Sequence, residues 1–144
     1  MSASEALAVP ALGHGAANVG NLFRPLSDDE SWAILEAAWD SGIRYYDTAP
    51  HYGLGLSERR LGAFLQTKPR EEYVLSTKVG RLLRPNPDHD GGLDTANDFH
   101  VPDDLQRVWD FSDDGIRAGL DESRERLGIC LLYTSDAADD TPCV

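Results

Sequence analysis

Three side chains, Asp47, Tyr52 and Lys78, have the types and positions that could together move a proton. Asp47 ends the short apolar run of GIRYYDTAPHYG (residues 42–53), and Tyr52 follows five residues later in a turn punctuated by Pro50 and Gly53. Lys78 ends a second apolar run, Tyr73-Val74-Leu75-Ser76-Thr77-Lys78. A phenol of ordinary pKa, near ~10, is a poor proton donor or acceptor at neutral pH. A lysine ammonium beside it favours the phenolate, and an aspartate keeps that lysine charged and in place. Singly, each residue has a plainer reading: a turn acid, a packed ring with a wet hydroxyl, a surface amine. Two strand ends carrying complementary groups give the chemical reading its weight. A Schiff-base role for Lys78 in another barrel enzyme has less support, since no second lysine lies nearby in sequence to activate it.

The elements that must position these groups follow from local patterns. Ser27 followed by Glu30 reads as a capping box. It opens a helix with Trp32, Leu35, Ala38 and Trp39 on one face, and Gly42 closes it. Ile43 to Tyr46 reads as a strand. After a turn through Gly55, SERRLGAFLQ forms a second helix with Leu61, Phe64 and Leu65 inward, and Pro69 ends it. Ser57 is expected to cap this helix, with Glu58 in its positive first turn and Arg59-Arg60 on a solvated face. Tyr73 to Lys78 is the next strand. Residues 84–104, rich in Pro, Gly, Asp and Asn, read as one long polar loop. Ser112 caps a third helix with Ile116, Leu120 and Leu127 on one side, and Ile129 to Tyr133 is a last candidate strand. Alternating helical and strand periods predict a parallel α/β sheet, either open and doubly wound or a (β/α)₈ barrel. In both, the strand ends carrying Asp47 and Lys78 face the catalytic side.

Composition narrows the partners. With 25 acidic residues against 13 Lys and Arg, the net charge of -12 argues against nucleic acid or an anionic membrane as main partner. No run approaches the ~18 apolar residues of a transmembrane helix. The start, MSASEALAVPALGHG, carries Glu5 and no basic flank, so it does not read as a signal peptide, and a cytoplasmic location is expected. Cys130 and Cys143 have neither metal-ligand spacing nor a disulfide context. His14, His51, His89 and His100 are too scattered for a metal site. GLGLSE lacks the three-glycine dinucleotide fingerprint.

The runs GIRYYDTAPHYGLGLSERRLGAFL and EEYVLSTKVGRLLRP, with LGHGAANVGNLFRPLSDDE upstream, resemble the aldo-keto reductase family. The motifs DTAxxYGxGxSE and STKxG are together highly specific for it, and the likeness spans roughly residues 10–128. It is strongest to the sugar-oxidising branch of aldose, L-fucose and L-galactose dehydrogenases. The resemblance implies a (β/α)₈ TIM barrel, of which this chain carries the N-terminal half. It implies hydride transfer, without a metal, between C4 of the nicotinamide of NAD or NADP and a small-molecule aldose or related aldehyde. Asp47 then takes the family's aspartate role and contacts the cofactor. Tyr52 is the general acid/base, and Lys78 lowers its pKa. His51 at the mouth and His14 after the first strand would contact substrate. The family's main contacts to nicotinamide and adenosine phosphate come from later strands. Its fourth catalytic residue, a histidine, falls in the Ile129–Asp136 stretch, where the simplest alignment places Ser135. Residues 1–128 therefore read as the N-terminal part of a barrel. Residues 129–144 read as an anomalous tail resembling translated adapter sequence joined to a truncated gene. On that reading the alternative to an enzyme is a non-catalytic barrel fragment. Oligomeric state, the sugar and the choice of NAD or NADP stay open.

Overall fold

Ser27 begins the first helix as its pattern requires. In the computed structural model, which describes residues 8–129, its hydroxyl accepts the Glu30 amide at 3.1 Å and the Glu30 carboxylate accepts the Ser27 amide at 2.7 Å. Helix α1 (Asp28–Asp40) then runs with Asp28, Asp29 and Glu30 in its first turn, where the helix dipole favours acids. Gly42, at φ 90°, turns the chain back toward the sheet.

Three short parallel strands lie side by side: β1 (His14–Gly15), β2 (Tyr45–Asp47) and β3 (Val74–Ser76). Their order in the sheet is their order in the chain, with α1 crossing between the first two and α2 (Leu56–Leu65) between the last two. A doubly wound sheet reverses strand order at its switch point. Here there is no reversal, and the three strands form an unclosed part of a TIM-barrel-like fold. Strand β2 begins two residues later than the sequence pattern suggests, so that Asp47 is its last residue.

The helices pack on one side of this sheet. Leu35 of α1, Leu61, Phe64 and Leu65 of α2, and Tyr46 and Tyr73 meet in one buried cluster with Ala16, Val19, Leu127 and Ile129. Trp32 and Trp39 pack edge-on to Phe64, at 5.3 Å and 6.5 Å between ring centres. Helix α3 (Asp113–Leu127) is capped by Ser112 and ended by Gly128 at φ 61°. It buries Gly115, Gly119, Ser123 and Leu127, whereas Ile116, expected inside, is exposed. A stripe of small residues at every fourth position lets this helix approach closely, which a stripe of branched side chains would prevent.

Residues 84–104 are not one open loop. Strand β4 (Arg81–Pro85) pairs antiparallel with β5 (Leu105–Trp109), in a register that sets Arg81 opposite Trp109. The connection between them is closed on itself by a bridge between Leu93 and Pro102 and tied to the body by one between Leu22 and Phe99. Phe99 and Val101 enter a second buried cluster with Leu54 and Leu83. Neither strand alternates strongly, and their turn is far longer than a hairpin signal allows, so local pattern could not reveal the pairing. The expected strand from Ile129 to Tyr133 falls, beyond Ile129, outside the described residues, as do Ser135 and both cysteines.

Candidate active site

Strand parity decides what reaches the site. Tyr45 and Asp47 lie on one face of β2, and Tyr46 lies on the other, within the core under the helices. Ser76 is the register partner of Asp47 on β3 and shares its face. The Ser76 hydroxyl accordingly donates to Asp47 Oδ1 at 2.6 Å and lies 3.1 Å from the Tyr45 hydroxyl. Two residues further on, Lys78 reaches back over the end of β2. Its Nζ donates to Asp47 Oδ2 at 2.7 Å, to the Thr48 carbonyl at 2.9 Å and to Tyr52 Oη at 3.3 Å. The three residues expected to act together are therefore joined through one ammonium group.

Electrostatics agree with the geometry. Burial works against the Lys78 charge, but hydrogen bonds to Asp47 and Tyr52 and their charges outweigh it and hold the ammonium above its ordinary pKa. A Schiff-base nucleophile needs the neutral amine, so these surroundings count against that role. The Asp47–Lys78 pair is partly open to solvent, with side chains 35% and 50% exposed.

Tyr52 is held by its backbone. Gly53, Leu54 and Gly55 all take positive φ, at 64°, 52° and 87°. A Cβ on Gly53 would meet the Gly20 carbonyl at 2.2 Å, so the turn lies directly against residues 18–20. Beneath it, buried Ser57 donates to the Ala16 carbonyl at 2.6 Å and bonds Thr48 Oγ1 at 2.8 Å. Ser57 thus ties β1 to the turn instead of capping α2, whose first residue follows Gly55 with no side-chain cap. Glu58, expected only to favour the helix start, is fully buried. It accepts from Thr77 Oγ1 at 2.7 Å and from Arg126 Nε at 2.5 Å, linking α2, the end of β3 and α3. Arg60, expected on a solvated face, is likewise turned inward: it donates to Asp28, Asn21 and the carbonyls of Val19 and Leu26. The left-handed turn at Asn21 leaves these acceptors without a helical partner, and a guanidinium can serve several at once.

The histidines divide. His51 lies beside Tyr52 and edge-on to Phe99, with ring centres 6.1 Å and 5.3 Å away. Its carbonyl accepts Arg107 Nη2 at 2.8 Å, and Arg107 grips both Asp94 oxygens at 3.0 Å and 2.6 Å. Burial, reinforced by the charges of Arg107 and Arg81 against that of Asp94, lowers the His51 pKa to about 4, so the ring is neutral near pH 7. His14 is the register partner of Tyr46, not of Asp47, and its ring tilts against Tyr46 at 5.9 Å. The fold thus sets His14 on the sheet face away from Tyr52 and Lys78. His89, in the polar segment, pairs through Nδ1 with Asp103 Oδ1 at 2.5 Å. Tyr45, Ser76 and Glu58 were missed as site residues; only the shared parity of Tyr45 and Asp47 could have pointed to the first.

Over Tyr52 and Lys78 opens a cavity of about 380 Å³, walled also by His51, Val79, Arg81 and Trp109. That volume lies in the range of small-molecule sites. A larger one, about 420 Å³, lies under the hairpin among Asp94, Asn97, Gln106 and Arg107 and contains neither Tyr52 nor Lys78. Among the described residues no three His, Cys, Asp or Glu side chains gather as a metal site. None of their helices is long and apolar enough to cross a membrane.

The model of the aldo/keto reductase family matches residues 11–134, nearly the span read from the motifs. The chain belongs to the aldo/keto reductase family. Similar proteins place it in the sugar-dehydrogenase-like branch. It is 74% identical over 139 residues to D-threo-aldose 1-dehydrogenase of a Pseudomonas species, covering 94% of this chain and 42% of that protein. Pyridoxal 4-dehydrogenase of Microbacterium luteolum is 44% identical, over 90% of this chain and 40% of its own length. L-Galactose dehydrogenase of Arabidopsis thaliana is 34% identical, over 85% and 32%. The chain thus spans between 32% and 42% of the length of these curated relatives. Among solved structures, a glycerol dehydrogenase from Gluconobacter oxydans superposes with a TM-score of 0.59 at 27% identity, over 80% of this chain and 31% of that one.

The residues present fit one end of a nicotinamide cofactor. The cavity and the Asp47 strand end have the size and polarity for the ring and its riboside. The Lys78 charge, compensated by Asp47, offers little to a phosphate, and among the described residues the only other cation lining the cavity is Arg81.

Proposed function

We propose that this chain carries the proton-transfer half of an NAD- or NADP-dependent oxidoreductase acting on an aldose or a related aldehyde. The single observation that carries this reading is the Lys78 ammonium, 2.7 Å from Asp47 and 3.3 Å from Tyr52 Oη at the floor of a cavity. When bound, the nicotinamide supplies or takes up the hydride; of the described residues, Asp47 and the cavity wall would hold that end.

Tyr52 Oη donates its proton to the substrate carbonyl oxygen during reduction and takes one from the sugar hydroxyl during oxidation. As the proton leaves, negative charge gathers on the phenol oxygen, and the Lys78 ammonium stabilises it there. Asp47 keeps Lys78 charged, and the Thr48 carbonyl fixes a second of its three N–H directions. Ser76 takes up the remaining Asp47 oxygen, so the carboxylate cannot swing toward Tyr52. Neutral His51 lines the same cavity without competing for the proton. Close likeness to proteins named as aldose and galactose dehydrogenases supports a sugar as substrate.

The test is Tyr52→Phe, assayed by nicotinamide absorbance with aldoses and both cofactors. Loss of a positioned general acid/base lowers turnover by roughly 10²–10⁴-fold. Cofactor affinity, read by fluorescence titration, stays the same. Undiminished turnover in the variant removes Tyr52 from the proton path.

A further inference from the structure

We propose that Arg81 and Trp109, paired across the β4–β5 hairpin, form the wall that recognises adjacent hydroxyl groups on the sugar. This rests on the oxidoreductase reading of the same cavity and names the residues that select its substrate.

Arg81 stands apart from the other inward-turned arginines. Arg60, Arg107 and Arg126 each donate to carboxylates, carbonyls or hydroxyls of the chain, although Arg107 Nε has no partner among the described residues. Among the described residues the Arg81 side chain makes neither hydrogen bond nor ion pair, yet the residue is half-buried. Its guanidinium lies over the Trp109 ring, 4.2 Å from the centroid, as their direct cross-strand register requires. A cation–π contact holds the group in place and leaves its N–H groups free at the edge. Both residues line the cavity that contains Tyr52 and Lys78.

The frame around them is firm. Arg107, two residues before Trp109 on β5, grips Asp94 and the His51 carbonyl, so the hairpin is tied to the residue next to Tyr52. The wall therefore keeps a set distance from the proposed proton donor. A planar fork of parallel donors matches two neighbouring oxygens, and an indole offers an apolar surface to ring carbons. A free donor fork beside an indole suits a polyhydroxylated ring. A dianionic ligand would draw several cations. Here Lys78 is neutralised by Asp47, and Arg81 is left with one uncompensated charge.

The experiment uses the full chain, with Arg81→Met, Arg81→Lys and Trp109→Leu, and compares galactose with propanal, an aldehyde without hydroxyls. Loss of hydrogen bonds from a charged donor lowers the galactose-to-propanal ratio of kcat/KM by about 10–100-fold in Arg81→Met. Arg81→Lys recovers only part of it, and Trp109→Leu moves it the same way. A purely structural defect lowers both substrates together, and an unchanged ratio overturns the proposal. In parallel, the Trp109 indole N–H signal is followed by NMR as galactose is added. It shifts in the wild type and not in Arg81→Met. If the wild type turns over neither substrate, the oxidoreductase reading fails. The titration then decides the wall alone: a shift supports it and no shift refutes it. Tighter binding of galactose 6-phosphate than galactose overturns it in favour of an anion site.

Discussion

Removing the charge of Glu58 should destabilise this protein more than any change at the more exposed Asp47–Lys78 pair. Glu58 is fully buried at the start of α2, and its partner Arg126 is 16% exposed on α3. Glu58→Gln keeps the shape and the hydrogen bond to Thr77, but among the described residues leaves the Arg126 charge inside with Glu122, 4.0 Å away and already paired with Arg84, to offset it. Breaking a buried pair from one side costs about 3–5 kcal/mol, and the distant Glu122 places the expected loss near ~3 kcal/mol. Domains have only ~5–15 kcal/mol of stability, so the loss is a large share of it.

Urea unfolding, followed by the fluorescence of Trp39, packed against the core, and of Trp32, edge-on to Phe64, measures it directly. A double-mutant cycle with Arg126→Met isolates the pair, because the double variant removes both charges and leaves neither uncompensated. The double variant should be less destabilised than the sum of the singles by about 2 kcal/mol or more. If each single variant loses under about 1 kcal/mol and the two losses add, the pair does not join α2 to α3 as described.

Two further outcomes follow from the same packing. Gly62→Ala ordinarily strengthens a helix by about 1 kcal/mol, but a Cβ there would meet the Leu127 carbonyl at 2.1 Å, so thermal unfolding should come earlier, and a raised Tm would contradict the close α2–α3 approach. His51 has a folded pKa of about 4 against an ordinary 6.5, so the unfolded chain takes up a proton first as the medium is acidified. Its contribution is intact above pH 6.5 and is lost as pH falls toward about 4, with the lowered pKa of half-buried His14 acting in the same direction. His51→Gln should flatten the fall in urea midpoint between about pH 7 and about pH 5, and an unaltered slope would show that His51 is not held neutral by its surroundings.

Much of the site was legible because its groups stand where local signals change. Asp47 and Lys78 close apolar runs, and Pro50 and Gly53 bracket Tyr52, so the strand ends could be read without knowing the fold. The helices announced themselves through Ser27, Glu30 and Ser112. What escaped depends on partners distant in sequence. A β-residue changes face with a one-residue shift in register, and only pairing with Tyr46 shows that His14 turns from the site. Arg60 looked like surface charge until the acceptors around Asn21 came to meet it. The hairpin was hidden because its two strands are separated by a long connection, and what closes it, Asp94 on Arg107 and Phe99 against Leu22, joins distant positions.

That hidden hairpin changes what the polar segment does. An open loop beside an active site would be expected to move as a lid. Here the segment contributes Phe99 and Val101 to a core of its own, and an ion pair whose Arg107 and Asp94 side chains are only 12% and 7% exposed. A buried pair of this kind is poor evidence for stability, but it specifies one arrangement, because either partner alone would be a stranded charge. The arrangement it specifies holds the carbonyl of the residue before Tyr52. On one strand, Arg107 donates to that carbonyl and to Asp94; opposite, the Arg81 side chain lies over Trp109 without a hydrogen-bond partner among the described residues. On the proposed reading, positioning of the proton donor and recognition of the substrate fall to two guanidiniums of the same hairpin, and they differ because, among the described residues, only Arg107 has an acid to grip.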